Sequence, residues 1–226
     1  MKEIVDALEK YTKHDIFYNK EKLAKGEINL LYIIGYSGSG KTTLSRTVKQ
    51  FPNIEVIEHD TLDYIVSIPH KEMKNQGKIF YTFFKMFEES FDDIGNAEKN
   101  HEEEMNKLYD KFNRFILKYS KKHRDKIYIV EGTRSLNSYL DKEFPDIAII
   151  VKNTSLIKSF WRATKRNALY KDAYYKERIK NPFLIIKKFF RMLFLKQRLK
   201  YYKDSMTWIK KIKLHIYNYE RNRRCS

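Results

Sequence analysis

One octapeptide constrains this chain more than any other stretch: Gly35-Tyr36-Ser37-Gly38-Ser39-Gly40-Lys41-Thr42. It fits G-x-x-x-x-G-K-[ST], a pattern in which small residues let the backbone curl and turn several N–H groups inward on an anion. The flanks agree with that geometry. Residues 29–34 read as a strand entering the loop, and residues 43–48 as a helix leaving it. The helix start adds unpaired N–H groups and a partial positive charge at the same point. The candidate phosphate-binding residues are therefore Gly35, Ser37, Gly38, Ser39, Gly40, Lys41, Thr42 and Thr43. Lys41 is placed to reach the β- and γ-phosphates of a nucleotide, and the Thr42 hydroxyl to hold Mg²⁺.

The 226 residues suffice for one sizeable α/β domain with a helical appendage. Cys225 is the only cysteine, so neither an intrachain disulfide nor a thiolate metal cluster is expected. That suits a reducing compartment, and a cytoplasmic location is the expectation. Residues 1–6 begin a charged amphipathic helix rather than an apolar signal segment. No apolar run approaches the roughly 18 residues of a membrane span.

Charge is distributed very unevenly. Residues 1–151 hold 24 Lys+Arg against 25 Asp+Glu, whereas residues 152–226 hold 22 against 4, for a total of +17. The basic third would attract phosphates, nucleic acid or anionic lipid.

In chain order, residues 1–25 read as helical, with Gly26 as the stop. A second strand, 54–59, ends at Asp60. An acidic residue at the carboxyl end of a strand in an open sheet lies near the ligand crevice, where Asp60 would orient or deprotonate an acceptor; an N-cap for the following helix is the other reading. His59 reads as local packing. Residues 70–124 contain no strand pattern. They offer an apolar helix at 79–87 and an amphipathic one from 102, with Met105, Leu108, Tyr109, Phe112, Phe115 and Ile116 spaced by threes and fours. A third strand, 126–130, leads into Glu131 and Gly132. A carboxylate there holds Mg²⁺ through water or aligns the attacking group, or else caps a turn or pairs with Arg134.

The apolar run 146–151 reads as a strand covered on both faces. Thr154 or Ser155 is placed to cap the next helix, which carries Arg162 and Arg166 as an i,i+4 pair. These are the candidate lid cations, with solvated surface charge as the alternative. Residues 183–196, opened by Pro182, form a wide apolar face with a lysine and arginine border. Core burial, a homodimer contact, an anionic membrane surface and nucleic acid are its alternatives. Residues 213–219 offer a last strand.

The loop at 35–44, the Ile-Glu-His-Asp at 57–60 and the Ile-Val-Glu-Gly at 129–132 resemble the P-loop small-molecule kinases, the superfamily of uridine, nucleoside and nucleotide kinases. The resemblance implies a three-layer α/β sandwich around a mostly parallel, five-stranded sheet. It divides the chain into an N-terminal helical extension (1–27), a core (28–180) with an insertion at 70–124, and a basic C-terminal segment (181–226). It also implies ATP-dependent phosphoryl transfer to a small-molecule phosphate acceptor, through Lys41, Thr42, Asp60, Glu131 and Arg162 or Arg166. The rival expectation is a nucleotide-dependent ATPase or switch, binding nucleic acid or an anionic membrane through the basic third.

Overall fold

In the computed structural model the described residues are 1–66, 68–96, 101–132 and 145–169, with scattered positions between 185 and 200. The elements are α1 (Lys2–Tyr11), β1 (Ile16–Tyr18), α2 (Lys20–Ala24), β2 (Leu30–Ile34), α3 (Lys41–Val48), β3 (Ile54–Glu58) and α4 (Thr61–Ile65). A 3₁₀ turn (His70–Gln76) follows, then α5 (Lys78–Met86), α6 (Glu88–Asn96), α7 (His101–Lys122), β4 (Ile127–Glu131), β5 (Ala148–Val151) and α8 (Leu156–Leu169). The chain divides into two compact units, Met1–Gly35 with Gly40–Lys152, and Tyr36–Ser39 with Asn153–Ser226.

The first unit is built on a five-stranded sheet ordered β1-β5-β2-β4-β3. Strands β5, β2, β4 and β3 run parallel, and β1 lies antiparallel on the outer edge of β5. This is the α/β sandwich of P-loop NTPases, with a largely parallel sheet between helical layers. β2 is the centre because all five of its residues are apolar and buried, as parallel strands covered on both faces require. One face meets α1 and α3 through Leu31, Ile33, Ile129, Ile150, Leu44, Val48, Val5 and Leu8. Each such fully buried aliphatic side chain contributes about 2 kcal/mol.

The helical reading of residues 1–25 is corrected by β1. Its three residues pair with Ile149, Ile150 and Val151, and Asn19 in the left-handed region (φ 54°) turns the chain into α2. So short a strand is decided by its partner rather than by its own pattern. A half-hidden ion pair, Lys152 Nζ to Asp15 Oδ2 at 2.5 Å, holds the chain just before β1 to the residue after β5. β1 is the fifth strand; residues 213–219 lie outside the described residues.

The opposite layer consists of α5, α6 and α7. The apolar spacing of α7 lands as expected, with Met105, Leu108, Tyr109, Phe112, Phe115 and Ile116 all buried. Phe112 stacks on Phe80 at 5.5 Å between ring centroids and meets Phe83 edge-on at 5.0 Å. The carboxyl end of α7 is moored to the start of β2, where the Asn29 side-chain amide donates to the carbonyls of Ser120, His123 and Lys126.

In the second unit, Ser155 caps α8 by accepting the Lys158 N–H at 3.2 Å. Phe160 of α8 packs edge-on against Phe189 at 5.3 Å. Ile186 and Phe190 are exposed, while Met192 is buried. No helix among the described residues is long and apolar enough to cross a membrane.

Candidate nucleotide site

β2 ends at Ile34 and α3 begins at Lys41, so the octapeptide forms the turn from the central strand into a helix. Within the first unit, Gly40 takes a left-handed φ of 91° and its carbonyl accepts the first α3 bond, from the Leu44 N–H at 3.0 Å. The Lys41 side chain folds back and donates to the Gly35 carbonyl at 3.2 Å; the residue is 6% exposed. The ammonium stands at the head of α3, where an anionic oxygen would be received, and a charge-assisted bond to such an oxygen is stronger than one to a neutral carbonyl.

Glu131, the last residue of β4, sits beside β2 in register with Ile33. It is 4% exposed, and its carboxylate accepts a hydrogen bond from the Thr42 hydroxyl. Burial raises its pKa above the ordinary carboxylate range. The Thr42 bond and the Lys41 charge oppose that rise, and the negative charges of Glu58 and Asp60 add to it. Lys41, Thr42 and Glu131, separated by up to 90 positions in sequence, are thus one interacting group.

Asp60 is exposed, the second residue after β3, and occupies the N-cap position of α4 without a side-chain capping bond. Its Oδ1 lies near Gly132, where a Cβ would approach it to 2.9 Å and the His59 Cβ to 2.8 Å. Gly132 is therefore glycine because the ends of β3 and β4 close over it. Thr43 faces solvent. Arg134, the alternative partner of Glu131, lies outside the described residues.

In the second unit, Tyr36–Ser39 forms a turn closed by the Ser39 N–H donating to the Tyr36 carbonyl at 3.1 Å. Thr154 Oγ1 donates to the Ser39 carbonyl at 3.2 Å. Gly38, at φ 81°, lies against α8: a Cβ there would collide with the Ser159 carbonyl and come within 2.9 Å of the Ala163 nitrogen. At Gly40 a Cβ would meet nothing within 4 Å. Gly40→Ala is thus expected to cost the nucleotide-free protein only the left-handed penalty of about 1–2 kcal/mol. Gly38→Ala should cost at least ~1 kcal/mol more, because α8 must also retreat. Thermal melts of the two variants compare them; equal losses would mean that α8 does not brace the loop. Arg162 is an exposed residue of α8, and the side chain of Arg166 is outside the described residues.

Sequence reasoning missed the polar contacts of α7. Tyr32 of β2 donates through its hydroxyl to Asn113 Oδ1 at 2.8 Å. His59 is fully buried, edge-on to Tyr109 at 4.5 Å and tilted on Phe112 at 5.5 Å. The available signal was the spacing of Asn106, Tyr109 and Asn113, which puts polar groups on the inward face of an otherwise apolar helix.

The residues fit a magnesium nucleotide. A buried lysine cation and a hydroxyl–carboxylate pair stand at the start of a helix, where phosphate and its metal are received. Among the described residues no group of three or more His, Cys, Asp or Glu forms a metal site of its own. Mg²⁺ suits such a site because it keeps several waters and takes few protein ligands beside phosphate oxygens.

Residues 13–124, just under half of the chain, match the model of the NB-ARC domain. No curated protein and no solved structure matches the chain. The match spans β1 through α7 and ends before the strand that carries Glu131. It overturns the resemblance to small-molecule kinases, and with it the expected kinase and transferase activity and the small-molecule phosphate acceptor. The physical reason is that a phosphate loop specifies what is held, not where the γ-phosphoryl goes. The match covers none of the basic third, on which the homodimer, nucleic-acid and anionic-membrane surfaces were expected. Much of that third lies outside the described residues.

Proposed function

We propose that this chain, whose residues 13–124 match the NB-ARC domain, is a nucleotide-operated switch that binds Mg·ATP and hydrolyses it slowly to change state. The observation that carries the reading is the Lys41–Thr42–Glu131 group at the head of α3, with Lys41 and Glu131 buried. Gly35, Ser37, Gly38, Ser39 and Gly40 present the loop to the phosphates, with Thr43 just beyond. Lys41 leaves the Gly35 carbonyl for the β- and γ-phosphate oxygens. Thr42 and Glu131 are the ligands offered to Mg²⁺, which neutralises phosphate charge when bound.

Water takes the place of an acceptor alcohol. Its oxygen bonds to the γ-phosphorus, the bond to the β–γ bridging oxygen breaks, and ADP and phosphate leave. The water proton passes to a carboxylate, for which Asp60, exposed and not offered to the metal, is the neighbour. Arg162 and Arg166 are the cations proposed for the departing phosphoryl. A switch of this kind acts on proteins, in the cytoplasm.

The test measures ATP affinity and phosphate release by the purified chain, with and without Mg²⁺. Micromolar binding with turnover well below the ~10 s⁻¹ typical of metabolic enzymes is expected. Failure to bind ATP would reject the reading. Turnover that requires an added alcohol or phosphate acceptor would reject it too.

A further inference from the structure

We infer that His59 is the link through which the nucleotide site moves α7, making α7 and the aromatic layer on it the output of the switch. The inference rests on the switch reading above. His59 is the first residue after β3, and its N–H donates to the Glu131 carbonyl at 2.7 Å. Its Cβ fills the space that a Gly132 side chain would occupy. The residue is thus locked to the backbone on either side of the Glu131–Gly132 bond. The other end of the same side chain lies in α7, with its ring edge-on to Tyr109 and tilted on Phe112. A displacement of Glu131 by a fraction of an ångström has no soft element to absorb it before it reaches the helix, since close-packed interiors transmit strain.

A second strand reports to the same helix. Tyr32, two residues before the end of β2, is bonded to Asn113. α7 therefore meets the strand leading into the loop through Tyr32, and the end of β4 through His59, whose N–H is bonded to Glu131. Its carboxyl end is moored by Asn29, so motion falls on the half from Met105 to Phe115. Phe112 passes that motion on, because it also contacts Phe80 and Phe83 of α5.

Coupling needs an element with two arrangements of similar energy. α7 carries the sign of one. Asn113 Nδ2 and Asn106 Oδ1 are buried and find no partner among the described residues. Each unmet group costs about 1–3 kcal/mol, so an arrangement that satisfies them lies within reach of nucleotide binding. His59 is a positioning residue in this account and touches no phosphate.

Hydrogen exchange of the full chain, with and without Mg·ATP, tests the link. Nucleotide should slow or speed exchange of amides in 105–115 by about fivefold or more, the size of an ordinary coupling. In His59→Ala that response should disappear while ATP affinity stays within about threefold of wild type. His59→Phe keeps an aromatic ring against Tyr109 and should keep the response. Tyr109→Leu severs the link from the helix side, should lose the response, and serves if His59→Ala does not fold. An α7 response absent from the wild-type chain despite ATP binding would overturn the inference and leave the switch reading standing. So would a response undiminished in both severed variants. Absence of ATP binding in the wild type would instead overturn the switch reading, and the link with it.

Discussion

Lys41→Ala is expected to lower ATP hydrolysis by about 10²–10³-fold, the usual result of removing a preorganised donor from a phosphate or oxyanion site. Nucleotide affinity should fall as well, because the ammonium is the one side-chain cation of the loop and lies at the head of α3. The fold should survive. The side chains that join α3 to the sheet are Leu44 and Val48, packed with Leu31 and Ile33, and Lys41 is not among them. Its bond to the Gly35 carbonyl joins neighbouring parts of the chain and ties no distant segments together. A melting temperature within roughly 2 °C of wild type is therefore expected, equivalent to under ~1 kcal/mol. Phosphate release assayed beside a thermal melt separates the two effects. Hydrolysis retained above a tenth of wild type, in a folded variant, would remove the phosphate loop from the mechanism.

Glu131→Gln carries the second large effect, and its sign differs between activity and stability. Burial holds the Glu131 proton to a higher pH than in the unfolded chain. The folded state therefore binds more protons across that interval, and its stability declines as pH rises from the unfolded pKa through the folded one. Gln cannot ionise. The variant should lose that decline, so that the nucleotide-free protein is at least as stable as wild type at neutral pH. Hydrolysis should fall by about 10²–10³-fold, because Gln offers Mg²⁺ a neutral oxygen in place of a carboxylate beside the phosphates. Melts at several pH values, paired with phosphate-release assays, check both signs. An unaltered rate of release would assign Glu131 to structure alone.

Much of this was legible in residues 35–42. A glycine-rich run before Lys41-Thr42, between an apolar strand and a helix, specifies its own local backbone, so the strand, turn and helix appear where the pattern puts them. The apolar runs 30–34 and 148–151 are continuous because both faces of the sheet are covered, and the three-four spacing along 105–116 is imposed by one buried helical face. These are local periodicities, and a linear string records them. The likeness of residues 13–124 to the NB-ARC domain was not legible in the same way, because the loop that dominated the reading is shared by proteins with different uses for the γ-phosphoryl.

What lay beyond the string were relations between distant segments. Ile16–Tyr18 is a strand only because β5 offers it an edge. Glu131 reads alone as an acid at the end of a strand; packing β4 against β2 buries it beside Thr42 and shifts its proton affinity. His59, unremarkable next to Asp60, gains a role from Gly132 on one side and Tyr109 on the other, 73 and 50 positions away. The sequence by itself determined the phosphate loop and the strands and helices that frame it, since those depend on near neighbours. The environment of each carboxylate and the route from loop to helix were decided by tertiary structure, because burial and contact depend on which distant segments meet.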